Sequence, residues 1–209
     1  MVLKLGGLWY FQGMAEVLST FNLKPGDAAP GFSLPDADGR VVTLAEAKGA
    51  NGLLVVFACN HCPFVVHVAD ALGEFSREIA GQEVGVVAIN SNDLEKYPQD
   101  GPEPMRAFAR EHGWDFPYLV DETQEIARAY GAACTPDFFL FDGNGGLFYA
   151  GQFDDSRPRS GMEAHGGDLR EAVRRMVGGE APLERPYPSS GCNIKWKSGR
   201  EPVWWNAGG

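Results

Sequence analysis

The 209-residue sequence has no run of about 18 apolar residues, so no membrane-spanning helix is expected. It is also short of positive charge. Against 28 Asp and Glu stand 18 Lys and Arg, a net charge of -10, which leaves no broad cationic surface to displace counterions from a phosphate backbone. Nucleic acid and anionic membrane are therefore poor partners. Cysteine is scarce: Cys59, Cys62, Cys134 and Cys192 are too few for a disulfide scaffold in a chain of this size. A second C-x-x-C and an H-x3-H pair are both missing, so a zinc site lacks half of its usual ligands. Internal repeats and low-complexity tracts are absent as well.

The opening "MVLKLGGLWYFQGM" has one early lysine and a short apolar run broken by two glycines, too little for a secretory leader. "YFQG" directly before Met14 resembles the remnant of a protease-recognition tag, which makes residues 1–13 tag sequence and Met14 the natural start. A cytoplasmic, reducing setting is expected. There a close cysteine pair serves chemistry or metal binding better than it serves as a staple.

What the sequence has is alternation. "GLLVVFA" (52–58), "EVGVVAIN" (83–90) and "FFLFD" (138–142) read as buried strands bounded by turn residues. Between them lie helical patterns. From Pro63 to about Ile79, Phe64, Val68, Leu72, Phe75 and Ile79 recur on one face, and His67, Asp70, Glu74 and Glu78 form a solvated one. A second helix spans about 102–112, and a third opens at Asp121 and stops at Gly131. "FFLFDGNGGLFYAGQF" predicts an antiparallel hairpin, followed by a helix capped by Asp168 and closed by Gly178. The result is an α/β domain over residues 14–179 with a mostly parallel sheet. Residues 180–209 form an extension packed on it, docked by Trp196, Trp204 and Trp205.

The chemistry is expected at "FACNHCPFV". A strand ends at Ala58 and a helix starts at about Cys62 or Pro63, so free amides and the positive end of the helix point at the sulfur of Cys59 and favour its thiolate. His61 would add a charge or a donor. Asn60, His61 and Pro63 are thus the residues that tune the dithiol. Cys134 is either a small buried hydrophobe or a neighbour of the dithiol, and Cys192, in a Gly/Ser-rich loop, is a second candidate auxiliary thiol. "SNDLEKYPQDG" reads as an ordinary acidic loop.

A C-x-x-C at a strand-to-helix turn, followed by "TPDFFLFDGNG", resembles the thioredoxin superfamily. "LKPGDAAPGFSLPDADGRVVTLAE" looks like the N-terminal hairpin of its branch with the AhpC/TSA peroxiredoxins and the TlpA/ResA-like oxidoreductases. More narrowly, "CNHCPFV", "AINSNDLEKYPQDGPE", "CTPDFFLFD" and "GCNIKWK" together resemble peroxiredoxin-like thioredoxin-domain proteins with a C-N-H-C-P motif, over about residues 23–198. The resemblance implies a thioredoxin fold, a central mixed sheet flanked by helices, with an N-terminal hairpin and a C-terminal extension. It implies a cis-proline at Pro136 facing the dithiol, with Thr135 and Pro136 aligning substrate.

The implied activity is thiol-disulfide exchange without a cofactor. Cys59 attacks a protein or small-molecule disulfide, Cys62 resolves the mixed disulfide, and a thioredoxin-type reductase or a small thiol recycles the protein. The sequence departs from the thioredoxin pattern in two places. Ala58 stands where thioredoxins have Trp, and "GLLVVFA" carries no buried carboxylate, so a proton acceptor for Cys62 must come from Asp137 or water. A thiol peroxidase, with Cys62-Pro63 as its reactive pair, is the second reading; the hydroxyl peroxiredoxins carry three residues earlier is replaced by Cys59. A metal-binding module using Cys134 or Cys192 is the third.

Overall fold

The computed structural model describes residues 16–205 and the backbone of a short antiparallel hairpin, β1 (Leu3–Leu5) and β2 (Leu8–Tyr10). The tag reading and its boundary at Met14 fall outside the described residues. A five-stranded sheet forms the centre, in the order β11 (Leu147–Gly151), β10 (Asp137–Asp142), β6 (Gly52–Phe57), β7 (Val84–Asn90), β8 (Tyr118–Val120). β6, β7 and β8 run parallel, and β10 is antiparallel to both of its neighbours. This is the expected mixed sheet, and the hairpin around the Gly-rich turn is β10–β11.

Every residue of β6 is buried because both faces of the sheet are covered. The two-residue period of the strand sends Leu54, Val56 and Ala58 to one core and Leu53, Val55 and Phe57 to the other. On the first face lie α2 (Pro63–Ala80), α3 (Pro102–Glu111) and α5 (Gly167–Val177), through residues such as Leu72, Phe75, Met105 and Val173. The second face is covered by α4 (Glu125–Tyr130), by the hairpin β4 (Ser33–Pro35) with β5 (Val41–Thr43), and by Ile194 and Trp196 of the extension. A single turn, α1 (Leu44–Ala47), follows β5 with Thr43 and Glu46 forming a capping box.

Three expectations are corrected. The third helix begins at Glu125, not Asp121; the Asp121 carboxylate accepts from the amide of Ala127 and the hydroxyl of Ser91. Asp168 lies inside α5, where it accepts from Gln152, and Gly166 takes the cap position. Strand β8 was hidden in a three-residue run, "YLV", too short to read by period. The larger surprise is a second sheet, β3 (Glu16–Leu18), β12 (Ser190–Asn193) and β9 (Cys134–Thr135), in which the extension forms the central strand. Trp196 is buried, with the Arg128 guanidinium over its ring.

Candidate active site

The strand-to-helix turn after β6 holds both sulfurs, as the spacing predicts. Cys62 is the N-cap of α2 and Pro63 its first residue. The Thr135-Pro136 peptide is cis and sits opposite them. Cys62 Sγ donates to the carbonyl of Thr135 at 3.0 Å, and Cys59 Sγ lies 3.4 Å from the Thr135 hydroxyl. All four cysteines are buried thiols.

The charge distribution differs from the sequence reading. The amides of Asn60 and His61 donate to Asp100 Oδ1, at 2.9 and 3.4 Å, and so do not serve Cys59. Asp100 is fully buried. Its other oxygen accepts from Asn92 Nδ2 at 2.9 Å and lies 2.7 Å from His61 Nδ1. The His61 ring is stacked on Tyr97, with centroids 5.4 Å apart and planes 4° from parallel. His61 therefore addresses the carboxylate rather than a sulfur. Asn60 is fixed on its other side, its Oδ1 accepting from the hydroxyl of Tyr118 at 3.0 Å. "SNDLEKYPQDG" is thus the buried support of the dithiol turn.

Burial pushes the Cys59 thiol well up, with the shared hydrogen bond to Cys62 and the negative charge of Asp100 acting the same way. Burial also opposes ionisation of Cys62, but there donors win: hydrogen bonds from Cys192, Cys59 and Thr135, and the Val65 amide, hold its thiol well below the usual range. The pair loses its first proton as a unit, and the resulting charge settles on Cys62. This reverses the expected order of the two sulfurs.

Asp137 finds its hydrogen-bond partners outside the dithiol. It accepts from Ser19 Oγ at 2.9 Å and from the Ala133 amide at 3.2 Å, and it interacts with Ser189; burial pushes its carboxyl up to about 6. It ties the residue after β3 and the residue before β12 to the cis-proline loop. Cys134 donates its thiol to the carbonyl of Pro136 at 3.5 Å, and burial, with the nearby charges of Asp137 and Cys62, holds it protonated.

Two residues of the extension do reach the site. β12 pairs Cys192 directly with Thr135, and the Cys192 sulfur bonds to Cys62. Lys195 is buried nearby; burial lowers its pKa, and the charges of Cys192, Cys59, Cys62 and Asp100 oppose that shift. The Lys195 backbone is held by Asn92, Asp93 and Gln124. Neither Lys195 nor Asp100 stood out in the sequence. The signals were a lysine set between Ile194 and Trp196 in "NIKWK" and, for Asp100, the resemblance-bearing "AINSNDLEKYPQDGPE".

His67, expected on a solvated face, is half-buried and bonds Ser156 Oγ at 2.8 Å. It lines a small cleft with Phe64, Val68, Pro136, Phe138 and Arg157, with room of only about 20 Å³, beside the cis-proline. Among the described residues, Cys59, His61 and Asp100 could present one sulfur, one nitrogen and one oxygen within 4.8 Å of one another to a metal ion, as could Asp154, Asp155 and His165 at the surface.

A family model described as Redoxin matches residues 24–165. Peroxiredoxin Bcp of Escherichia coli is 29% identical over 145 residues, covering 64% of this chain and 86% of that protein. Thiol-disulfide oxidoreductase ResA of Halalkalibacterium halodurans is 27% identical over 126 residues, covering 58% and 65%. The crystal structure of an uncharacterized conserved protein from Geobacillus kaustophilus superposes with a TM-score of 0.85 at 46% identity, covering 89% of this chain and 98% of that one.

Proposed function

The chain belongs to the redoxin family, and on that premise we propose that it is an oxidoreductase that cycles Cys59 and Cys62 between dithiol and disulfide. The observation that carries this reading is the pair itself: two buried sulfurs at the strand-to-helix turn, opposite a cis-proline, with Cys62 Sγ on the Thr135 carbonyl and Cys59 Sγ beside its hydroxyl. As Cys59 attacks a substrate disulfide its proton passes to Cys62, and one substrate thiolate leaves. Cys62 gives that proton to the departed substrate thiolate and, as the thiolate its surroundings favour, attacks the Cys59 sulfur of the mixed disulfide. The second substrate thiolate departs, the substrate gains two electrons and the protein holds Cys59–Cys62. A reductase or small thiol reverses the last step in a reducing compartment. Substrate access is through the cleft beside Pro136, since β12 already pairs with Thr135.

The likeness to ResA supports this reading, and the likeness to peroxiredoxin Bcp supports a second one. In that reading Cys62, the sulfur with the lowered pKa and a proline after it, is oxidised by peroxide to a sulfenic acid that Cys59 captures. One set of variants separates the two. For the oxidoreductase, Cys59→Ser abolishes reduction of a model disulfide and Cys62→Ser accumulates a mixed disulfide on Cys59. Rapid peroxide consumption that Cys62→Ser removes, with the oxidised sulfur mapped to Cys62, replaces the first reading by the second. Metal bound stoichiometrically by the purified chain would support the non-enzymatic reading instead.

A further inference from the structure

We propose that Cys192 is a third redox thiol, which accepts the disulfide from Cys59 through Cys62; the inference rests on the dithiol cycle proposed above. Three sulfurs gather around Thr135. Its hydroxyl is 3.4 Å from Cys59 Sγ, its carbonyl accepts from Cys62 Sγ at 3.0 Å, and its backbone is paired across the ladder with Cys192. Cys62 is the central member, bonded to Cys59 on one side and to Cys192 on the other, whereas Cys59 and Cys192 share no such contact among their strongest interactions. The contact that Cys192 makes with the dithiol is thus with Cys62.

The approach of β12 to this point is built in. At Gly191 a Cβ would stand 2.1 Å from the Thr135 oxygen and 2.6 Å from its carbon, so only glycine lets the strand lie this close. β3 pairs with the other edge of β12, and the Ser19 and Ser189 contacts to Asp137 fasten the same corner. Cys192 is thus presented to Cys62 by a braced strand rather than by a loose tail.

The step is a thiol-disulfide exchange. Cys192 sulfur attacks the Cys62 sulfur of the Cys59–Cys62 disulfide; the Cys62–Cys192 bond forms, the Cys59–Cys62 bond breaks, and Cys59 leaves as thiolate and takes up the proton that Cys192 gave up. No electrons enter or leave the chain. In the reduced protein the proton is held on Cys192 chiefly by its bond to Cys62, with burial second. Oxidation of Cys62 removes that first cause, and the neighbouring Lys195 charge favours the Cys192 thiolate. The exchange returns Cys59 to a thiol while the disulfide is stored behind it, joining the first turn of α2 to β12.

The test uses 2,2′-dipyridyl disulfide on the full chain, with release of pyridinethione followed by absorbance and, after acid quench and alkylation, disulfide mapping. In Cys59→Ser, Cys62 attacks the reagent and Cys192 then displaces the second pyridinethione, giving two equivalents per chain and a Cys62–Cys192 peptide. Adding Cys192→Ser leaves Cys62 as its pyridyl mixed disulfide, and Cys59→Ala repeats the Cys59→Ser result. In the wild-type chain both Cys59–Cys62 and Cys62–Cys192 are recovered. Wild-type protein that gives Cys59–Cys62 alone, with Cys192 fully alkylated there and in Cys59→Ser, overturns the third thiol and leaves the dithiol cycle standing. Wild-type protein that forms neither the Cys59–Cys62 nor the Cys62–Cys192 disulfide overturns the cycle itself.

Discussion

Two buried carboxylates flank the dithiol, and they are used in opposite ways. Asp100 collects donors from the reactive turn and from the end of β7, two turn amides and Asn92, and the His61 ring lies against it at 2.7 Å. Asp137 collects donors from the parts of the chain that close over the site: Ser19, the Ala133 amide and Ser189. The first fixes the shape of the C-x-x-C turn. The second fixes the position of the strand that brings Cys192 to it. A thioredoxin-like site needs the turn; this chain has added a strand, and each has its own anionic clasp.

Breaking the Asp100 side has the largest expected effect. Asp100→Ala leaves several buried donors without an acceptor, each costing about 1 to 3 kcal/mol. With partial relaxation the loss of stability is roughly 3 to 5 kcal/mol, as for removal of one member of a buried charged network. A urea titration reads this directly. Asp100→Asn keeps one acceptor oxygen, so it recovers a substantial part of the stability. Equal midpoints for Asp100→Ala and wild type would show that the turn holds itself.

The two sides also differed in legibility. The turn could be read because its signals are local: an apolar strand, two cysteines, a proline at the first helical position. Pro136 could be placed because the resemblance puts a cis-proline at the Thr-Pro that opens the hairpin strand. Asp100 could not, since a carboxylate in an acidic, proline-rich loop looks solvated until the fold folds that loop under the turn. β12 was less legible still. "SGCN" has no alternation, low β-propensity and a glycine in its middle, and it becomes a strand only because β3 and β9 lie on either side. Its glycine, which argues against a strand locally, is what the close approach to Thr135 demands.

Asp137 gives a pH signature that sharpens the contrast. Its carboxyl is raised to about 6 from an ordinary 3.8, chiefly by burial. Folding thus favours the protonated form: the stabilisation is complete below about pH 4 and is lost as pH rises through 6, by up to about 3 kcal/mol in total. Asp137→Asn cannot titrate. Its stability relative to wild type should therefore improve between pH 4 and pH 7.5 by up to that amount, read as the difference in unfolding free energy at each pH. A gap that stays constant with pH would mean that Asp137 is ionised throughout.

A smaller effect is expected at Gly191. Gly191→Ala puts a methyl into the Thr135 carbonyl, an overpacking cost of about 1 to 3 kcal/mol if the strand shifts as a whole. The shift would draw Cys192 from Cys62, and because the Cys192 hydrogen bond lowers the Cys62 pKa, Cys62 should become a poorer thiolate. Slower alkylation of Cys62 at neutral pH is the readout; an unchanged rate would mean that β12 tolerates the methyl in place.

His61 should matter least for stability and most for distinguishing how the turn acts on its sulfur. Its stacked contact with Tyr97 is worth about 0.5 to 1.5 kcal/mol, so His61→Ala destabilises by around 1 kcal/mol. Its effect on Cys59 can take two routes. If the ring acts directly on the sulfur, removing it slows Cys59 alkylation whatever residue stands at 100. If it acts by neutralising Asp100, whose charge already pushes Cys59 up, the slowing disappears once Asp100 is itself neutral. The 2.7 Å separation between Nδ1 and the carboxylate favours the second route. In a double-mutant cycle, His61→Ala should therefore slow Cys59 alkylation in the wild-type background and leave it nearly unchanged in Asp100→Asn. Equal slowing in both backgrounds would return His61 to the direct role that its place between the two cysteines first suggests.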